Sequence, residues 1–590
     1  MRAPSENRWN SGAPRKIRVK LDLNFTLQRY TNFCSNVTAL IFEEPRLELA
    51  LGGSLFFILR QQEMATDTHA EKEAELSTSA ANQDGSQHSP DVEEGTHAPA
   101  RQKLGRDFQS RHMQMIAIGG SIGAGLFISS GGALYTGGPA ALLVGYLIIG
   151  VMILCTVQAL GELAVMYPVN GAYYVYAVRF IDPAWGFAMG WQYVRGWLIT
   201  LPFEITAAGI TISYWHEYNI SIWIVVFLSL LVLVQYFGVK GYGEVEFILG
   251  LIKIIAIVGF VIFGIVVDCG ANGNTAFRNG FKGFCTVFVV AAFAFAGTEL
   301  VSLAAAEAAN PLEALPKATR QVIFRIAGLY ITSLLIVGLI VPNNSVDLLG
   351  ASGANTKASP FVLAIQYAGV KGLPSAFNAV ITISVLSVAN SCTYGSTRTM
   401  QALAADGMAP RFLAWIDHKS RPFWPIIIQL LFGLLAFINL AASGETVFYW
   451  LLAISGLSVF FIWGSICLSH IRFRAGWKAA GRSLDEIPSV SPLGVTLVCV
   501  CLIATFYVAL FPIGGEPNAE AFLMSYLAAP IAVVLFIFWK FWSKDSGFLV
   551  KVMDMDLDSG RREFQEYLET IERGSKAKQS LGRRVMGLFV

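Results

Sequence analysis

Two clusters of helix-breaking residues, each inside a long apolar stretch, are the places where this chain could do chemistry. The first is Gly119-Gly120-Ser121-Ile122-Gly123-Ala124-Gly125, four glycines in seven residues. An interior glycine weakens a helix by about 1 kcal/mol relative to alanine, so the stretch is expected to unwind there. Unwound backbone is tolerated in lipid only where it faces protein or a water-filled cavity. Its freed N–H groups, with the positive end of the following half-helix, suit a carboxylate. Ser121, Ile122, Gly123, Ala124 and Gly125 are therefore candidate ligand contacts: the glycines admit close approach and Ser121 adds a hydroxyl. A plainer reading stays open, in which Gly119-x-x-x-Gly123 is a close helix-packing motif. A phosphate-binding loop is excluded, because neither a preceding strand nor a P-loop lysine accompanies the glycines.

The second cluster is Phe293-Ala294-Phe295-Ala296-Gly297-Thr298-Glu299. Carbonyls freed around Phe293–Gly297 would accept hydrogen bonds from an ammonium group, and Phe293 and Phe295 would close over an apolar side chain. A carboxylate on one break and an ammonium on the other describe an α-amino acid. Paired unwound helices near the bilayer midplane are a common way for secondary transporters to hold a small charged solute.

Four further charges lie at membrane depth. Glu299 costs ~3 kcal/mol in lipid and is expected to face the interior. There it either takes part in coupling or holds its broken helix together by accepting backbone N–H groups. Glu204 follows Leu201-Pro202, where a proline-loosened helix would bring it to a cavity as a coupling or substrate-contacting group. Lys253 lies too deep to reach the interface easily. It is expected to satisfy carbonyls of the first break, in the role of a bound sodium ion. Arg195 is nine residues before Glu204, about two and a half turns, so the two point to opposite faces. Snorkelling to the interface or phospholipid contact is the expected role of Arg195. Ser384 and Ser387 are secondary candidates, serines being common helix bridges.

The elements that must position these groups are membrane helices. A mean hydropathy of +0.54 with 14% charged residues marks a polytopic membrane protein. Charge-free spans run over 140–161, 220–237, 375–397, 423–442, 446–469 and 493–511. Interrupted or charge-bearing stretches near 113–135, 185–214, 246–267, 284–306, 326–341 and 521–539 bring the expected number to twelve. With a cytoplasmic N-terminus, the inner loops hold thirteen Lys and Arg residues, Arg398 among them, against Arg278, Lys282, Lys357 and Lys371 outside. That asymmetry places both termini in the cytoplasm.

The expected layout is a transporter domain over 108–542 between cytoplasmic tails at 1–107 and 543–590. Residues 64–107 have the polar composition of a disordered tail. Residues 1–63 are basic and mixed, and two readings fit: Met64 is the natural start, or the tail is simply longer. The segment from Ser543 is expected to be mostly flexible, with one short helix over Phe564–Ile571. Sequons at Asn219 and Asn343 fall near outer loops but close to the bilayer, whereas those at Asn24 and Asn36 are on the wrong side. Eight scattered cysteines show no C-x-x-C pair, so no zinc site is suggested. Cys269 and Cys285 are either bridged or two buried thiols. No metal or other cofactor is expected, and no nucleic-acid partner.

At these same residues the chain resembles fungal-type amino-acid permeases of the amino acid–polyamine–organocation superfamily. Gly119-Gly-Ser-Ile-Gly-Ala-Gly-Leu-Phe127 is similar to that family's first-helix signature. Gly161-Glu-Leu-Ala164 with Tyr167-Pro168 is similar to the end of its second helix. Phe295-Ala-Gly-Thr-Glu-Leu300, followed by Glu307-Ala-Ala-Asn-Pro311 and Pro316-Lys317, is the most specific match. Leu251-Ile-Lys253, Ser396-Thr-Arg398, Leu403-Ala-Ala-Asp-Gly407 and Asp554–Asp558 with Arg561-Arg562 extend the likeness over about 108–565. The resemblance implies an all-α integral membrane fold of twelve helices, the first ten forming two inverted five-helix repeats with helices one and six broken. It also implies proton-driven uptake at the plasma membrane, with Lys253 standing where sodium-coupled relatives bind an ion. The members it looks most like are general, neutral amino-acid and proline permeases. Partners would then be an amino acid, protons, the bilayer and ubiquitin-ligase machinery at tail lysines such as Lys72 and Lys103. The competing reading is an amino-acid-sensing receptor of the same fold. An intramembrane enzyme is a poor third reading, for want of an H-E-x-x-H pair or a Ser-His-Asp cluster at membrane depth.

Overall fold

The computed structural model describes residues 108–215, 219–267, 277–309, 314–315, 318–319, 328–349, 359–440, 444–482, 490–544 and 547–559. Expectations placed on residues 1–107 (the Met64 start, Asn24, Asn36, Lys72 and Lys103), Cys269, Lys357, Pro311, Pro316-Lys317, Arg561-Arg562 and Phe564–Ile571 lie outside them. Among the described residues the chain is helical, and a single isolated bridge between Phe108 and Ala308 is its strand-like pairing.

Among the described residues, seven helical stretches are long and apolar enough to cross a membrane: Ser110–Gly137, Pro139–Met166, Gly238–Val266, Gly280–Glu307, Leu373–Ala405, Ser455–Ala479 and Ser491–Leu510. Shorter apolar helices cover Ile220–Tyr236, Gly328–Ile340, Phe423–Ile438 and Ala528–Ser543. Pro183–Ile212 adds a 30-residue helix, about 45 Å long. Its start is fixed by Pro183 at the first position and by Asp182, whose side chain accepts the N–H groups of Ala184 at 2.8 Å and Trp185 at 3.2 Å.

Two stretches are interrupted where the sequence calls for it. The helix α1 (Ser110–Ser121) ends at Ile122, whose backbone is extended at φ −79°, ψ 96°. A π-helical turn, Gly125–Ser129, then leads into α2 (Ser130–Gly137). In the second stretch α3 (Gly280–Phe295) ends at Ala296, φ −58° and ψ 145°. The chain passes through Gly297 at φ 95° and resumes as α4 (Leu300–Ala304). The breaks cross each other: a Cβ on Gly297 would lie 2.4 Å from the Gly120 carbonyl oxygen, so only glycine permits this approach in this conformation.

Gly238–Val266, α5 here, shows how the interior is separated from lipid. Among its buried residues, Val239, Tyr242, Glu246, Gly250, Lys253, Ile257, Phe260 and Gly264 recur at spacings of three or four. Ile248, Leu251, Ile255, Val258, Ile262 and Ile265 on the other faces are exposed, as lipid-facing residues should be. Small residues bring α1 close: Gly243 lies against Phe108 and His112, and Gly250 against Met115.

The structure revises three sequence expectations. Arg398, counted among inner-loop charges, lies within the helix Leu373–Ala405, buried and 3.0 Å from Glu307. The Arg195 guanidinium is turned inward: its nitrogens are buried and find no hydrogen-bond partner among the described residues. Residues 547–559, expected to be flexible, are docked. Val550 N–H donates to the Ile181 carbonyl at 2.9 Å, and Tyr167 Oη donates to the Leu557 carbonyl at 2.8 Å. Arg482 pairs with Asp558 at 2.9 Å, while Met555 and Leu557 are buried. Asn343 is buried, which argues against glycosylation there. Asn219 is spent capping Ile220–Tyr236, its side chain accepting from Ser221 N–H at 3.0 Å.

Candidate functional site

A small cavity lies where the two breaks cross. The first break contributes Ser121 and Gly125, and the second contributes Phe293, Ala296 and Glu299. Pro183–Ile212, labelled α6, supplies Tyr193, Trp197, Thr200 and Glu204. Gly444–Ala479, labelled α7, supplies Ser455, Ser458 and Trp463. The two outer walls are joined by a 2.6 Å hydrogen bond between Thr200 and Ser455.

Each carboxylate at the cavity also holds unwound backbone. Glu204 Oε2 accepts the Ala124 N–H at 3.4 Å across from the first break. Pro202, two residues before it, removes one N–H from the hydrogen-bond ladder of α6. Glu299 accepts the Gly297 N–H with both oxygens, at 3.1 and 3.2 Å. On the far side of the first break, Lys253 Nζ donates to the Gly119 carbonyl at 2.7 Å. Lys253 is completely buried and touches the back of the unwound turn rather than the cavity.

The other residues singled out from sequence are placed around the cavity but do not line it. Ile122 and Ala124 are fully buried, and Gly123 abuts Val388 and Glu204. The Ala294 carbonyl accepts from Tyr330 Oη at 2.8 Å, and Thr298 Oγ1 donates to the Phe295 carbonyl at 3.0 Å. Phe295 differs from its expected role as a lid. Its ring is turned away, 4.7 Å from that of Tyr330 and 6.0 Å from that of Tyr146. Phe293 does face the cavity, edge-on to Phe203 at 5.0 Å. Ser384 bonds back to the Val380 carbonyl of its own helix at 2.7 Å, so it bridges nothing. Ser387 donates to Glu246 at 2.7 Å and lies 3.4 Å from the Gly119 carbonyl.

Sequence reasoning passed over Glu246, the α7 wall and, apart from Glu204, the α6 wall. Glu246 had a readable signal, its seven-residue spacing to Lys253 on one helix face. Tyr193, Ser455 and Ser458 had none, since helices buried all round in a membrane protein carry no amphipathic period.

Beyond the cavity, toward the N-terminal end of α1, the chain is closed by a polar and aromatic cluster. Phe108 N–H donates to the Glu307 carbonyl at 3.0 Å, and Ala309 N–H returns to the Phe108 carbonyl at 3.0 Å. Glu307 Oε1 accepts from Arg398 at 3.0 Å and from Tyr394 Oη at 3.1 Å. Tyr242 stacks on Tyr394 with ring centroids 4.6 Å apart. The start of the first broken helix is thus fastened to the end of the second.

Comparison with known proteins accords with this geometry. The amino acid permease family profile matches residues 112–547. An uncharacterised amino-acid permease of Schizosaccharomyces pombe is 51% identical, over 78% of this chain and 82% of its own length. A general amino-acid permease of Candida albicans is 49% identical over 79% and 82%. A cationic amino acid transporter of Schizosaccharomyces pombe is 46% identical over 82% and 86%.

Proposed function

The chain belongs to the amino acid permease family, and on that premise we propose that it is a proton-coupled importer of α-amino acids at the plasma membrane. The observation that carries this reading is the cavity between two crossed helix breaks, bordered by Ser121 and Gly125 on one side and Phe293, Ala296 and Glu299 on the other. The substrate carboxylate sits on the first break, its ammonium at the second, and Phe293 lies over its side chain. Lys253 gives the Gly119 carbonyl the cation that a sodium ion would otherwise supply. Glu204 and Glu299 border the cavity and bind one break each, so a proton taken up by either would loosen the backbone it holds.

The substrate range is neutral to broad. Relatives of nearly equal identity are named a general permease and a cationic transporter, so identity does not narrow it. In this reading the interrupted, long and short helices make up twelve spans, the first ten in two inverted repeats, with both termini cytoplasmic. Alternating access moves the broken helices against the remainder. One proton entering down ~100 mV supplies ~2.3 kcal/mol. At 1.4 kcal/mol per decade that sustains roughly 50-fold accumulation.

The test is uptake of labelled amino acids, one at a time, in permease-deficient cells at pH 5 and pH 7.5, with and without a protonophore. Concentrative uptake that rises in acid and collapses with protonophore is expected. Surface-localised protein that binds amino acids but accumulates none would refute the proposal in favour of a receptor.

A further inference from the structure

Glu246 is completely buried on α5, two turns before Lys253 and on the same face. Both side chains meet the first break at one residue. Lys253 donates to the Gly119 carbonyl at 2.7 Å, while a Cβ on Gly119 would fall 1.9 Å from Glu246 Oε2. The Glu246 carboxylate is held by donors. Asn390 Nδ2 donates to one oxygen at 2.9 Å, and Ser387 Oγ donates to the other at 2.7 Å. Gln235 Nε2 donates to Asn390 Oδ1 at 3.1 Å, which turns the Asn390 amide so that its NH₂ faces the carboxylate. A carboxyl offered donors at both oxygens is arranged as an acceptor, the ionised form.

The other groups facing it are known. From α5 itself come Lys253 and Tyr242. The helix Leu373–Ala405 adds Ser391, Cys392 and, farther off, Arg398. Glu204 of α6 acts on Lys253 from the opposite side of the break. The neighbourhood therefore holds one ammonium between two carboxylates, and these differ in what they hold. Glu204 grips the broken helix at Ala124. Glu246 takes its hydrogen bonds from Ser387 and Asn390 of the helix Leu373–Ala405, with Gln235 of Ile220–Tyr236 behind Asn390, and none from the N–H groups of the break.

We infer that Glu246 is the standing counter-charge of Lys253, keeping the ammonium neutralised when the first broken helix moves and the Lys253–Gly119 bond opens. The inference rests on the transport reading above and makes Glu246 a positioning residue acting through Lys253. An ammonium buried without a counter-ion is costly, so without Glu246 the bond to Gly119 would have to persist or Lys253 would have to lose its proton. Either outcome stalls the cycle in one state. Glu246 thereby makes the bond between Lys253 and the break reversible.

The experiment compares wild type, Glu246→Gln, Glu246→Asp, Lys253→Met and the double variant Glu246→Gln/Lys253→Met, normalised to surface abundance. The probe is a labelled mixture of protein amino acids. Concentrative uptake across pH 4.5–8 and exchange from preloaded vesicles are both measured. Each neutralising single variant is expected to lose at least tenfold in concentrative uptake, and Glu246→Asp to keep most of it. The double variant is expected to exchange substrate no worse than the poorer single variant, because the pair is neutral again. Multiplying defects in the double variant would overturn the inference and leave Glu246 a merely structural group. So would a wild-type pH profile for Glu246→Gln. Wild-type protein that fails to accumulate the probe would instead remove the transport reading itself, so the two failures are distinct.

Discussion

Replacing Gly297 with alanine tests whether the crossing of the two breaks holds the cavity together. Gly297 sits at φ 95°, and its added methyl would lie 2.4 Å from the Gly120 carbonyl oxygen and 2.7 Å from the carbonyl carbon. A left-handed backbone costs an L-residue about 1–2 kcal/mol. Forcing a methyl against backbone that cannot rotate aside adds about 1–3 kcal/mol. The sum, about 2–5 kcal/mol, falls on the geometry of the site rather than on the bundle at large. At 1.4 kcal/mol per decade, even the lower figure reduces the population of the crossed arrangement roughly 30-fold. The control is Gly259→Ala in α5, which has nothing within 4 Å of its new methyl and an ordinary helical φ. There the substitution gains up to about 1 kcal/mol of helix propensity. The assay is thermal inactivation of a fluorescent fusion in detergent, with uptake at matched surface abundance. Gly297→Ala should be thermolabile and transport-defective, and Gly259→Ala neutral or slightly stabilised. Equal behaviour of the two variants would refute the crossed-break geometry.

Arg398→Met leaves Glu307 buried without its cation, a loss of about 3–5 kcal/mol at a pair with 3.0 Å separation. Poor surface delivery and a lowered unfolding temperature are expected, and unchanged thermal stability would show that the pair is not closing that end. Phe293→Leu should alter the competition profile among amino acids, since its ring borders the cavity. Phe295→Leu should lower stability with the profile intact, since its ring packs on Tyr330 and Tyr146; reversed phenotypes would exchange the two assignments. Acid sensitivity is expected from Asp417, in the connection before Phe423. Burial alone would raise its carboxyl, but hydrogen bonds from the Arg421 side chain and backbone, with that of Lys419, outweigh burial and hold it below the usual carboxylate range. A lowered folded-state value means the stabilisation is complete above about pH 4, the unfolded value. It fades as pH falls through the folded one. Asp417→Asn should therefore lose stability at pH 7 and flatten the acid limb of a thermal-stability profile, which melting curves between pH 7 and pH 3 would check.

How much of this was legible in the chain depended on whether a residue's role was set by covalent chemistry or by direction. The breaks were legible because four glycines in seven residues and a carboxylate at membrane depth have few other uses. Lys253 was legible for the same reason, since a buried ammonium must find a carbonyl or a carboxylate. Which of Phe293 and Phe295 meets the cavity was not legible, because they are two residues apart on a helix that ends between them and Gly297. Glu246 escaped notice because an acidic residue at the margin of an apolar stretch reads as its end, although the helix begins eight residues earlier at Gly238. The docked segment 547–559 was hidden by its composition. Met555 and Leu557 alternate with Asp554, Asp556 and Asp558, and only contact with Tyr167, Gly476 and Arg482 gives that alternation a buried side.

One regularity links the fold to its function. Lys253 serves the Gly119 carbonyl, Glu204 the Ala124 N–H, and Glu299 the Gly297 N–H. Glu307, at the end of the second broken stretch, gives its own backbone carbonyl to Phe108 at the start of the first. Helix breaks leave backbone groups that lipid cannot satisfy, and charged side chains in lipid have no partners; placed together, each removes the other's cost. This explains why Lys253, Glu204 and Glu299 are tolerated beside the breaks; Arg195, which has no such backbone partner among the described residues, stands outside the pattern. The pairing also means that a change of protonation at Glu204 or Glu299 acts on backbone at once, with no intervening side chain. On the transport reading proposed above, a proton bound by either carboxylate would free the N–H it holds for a substrate carboxylate.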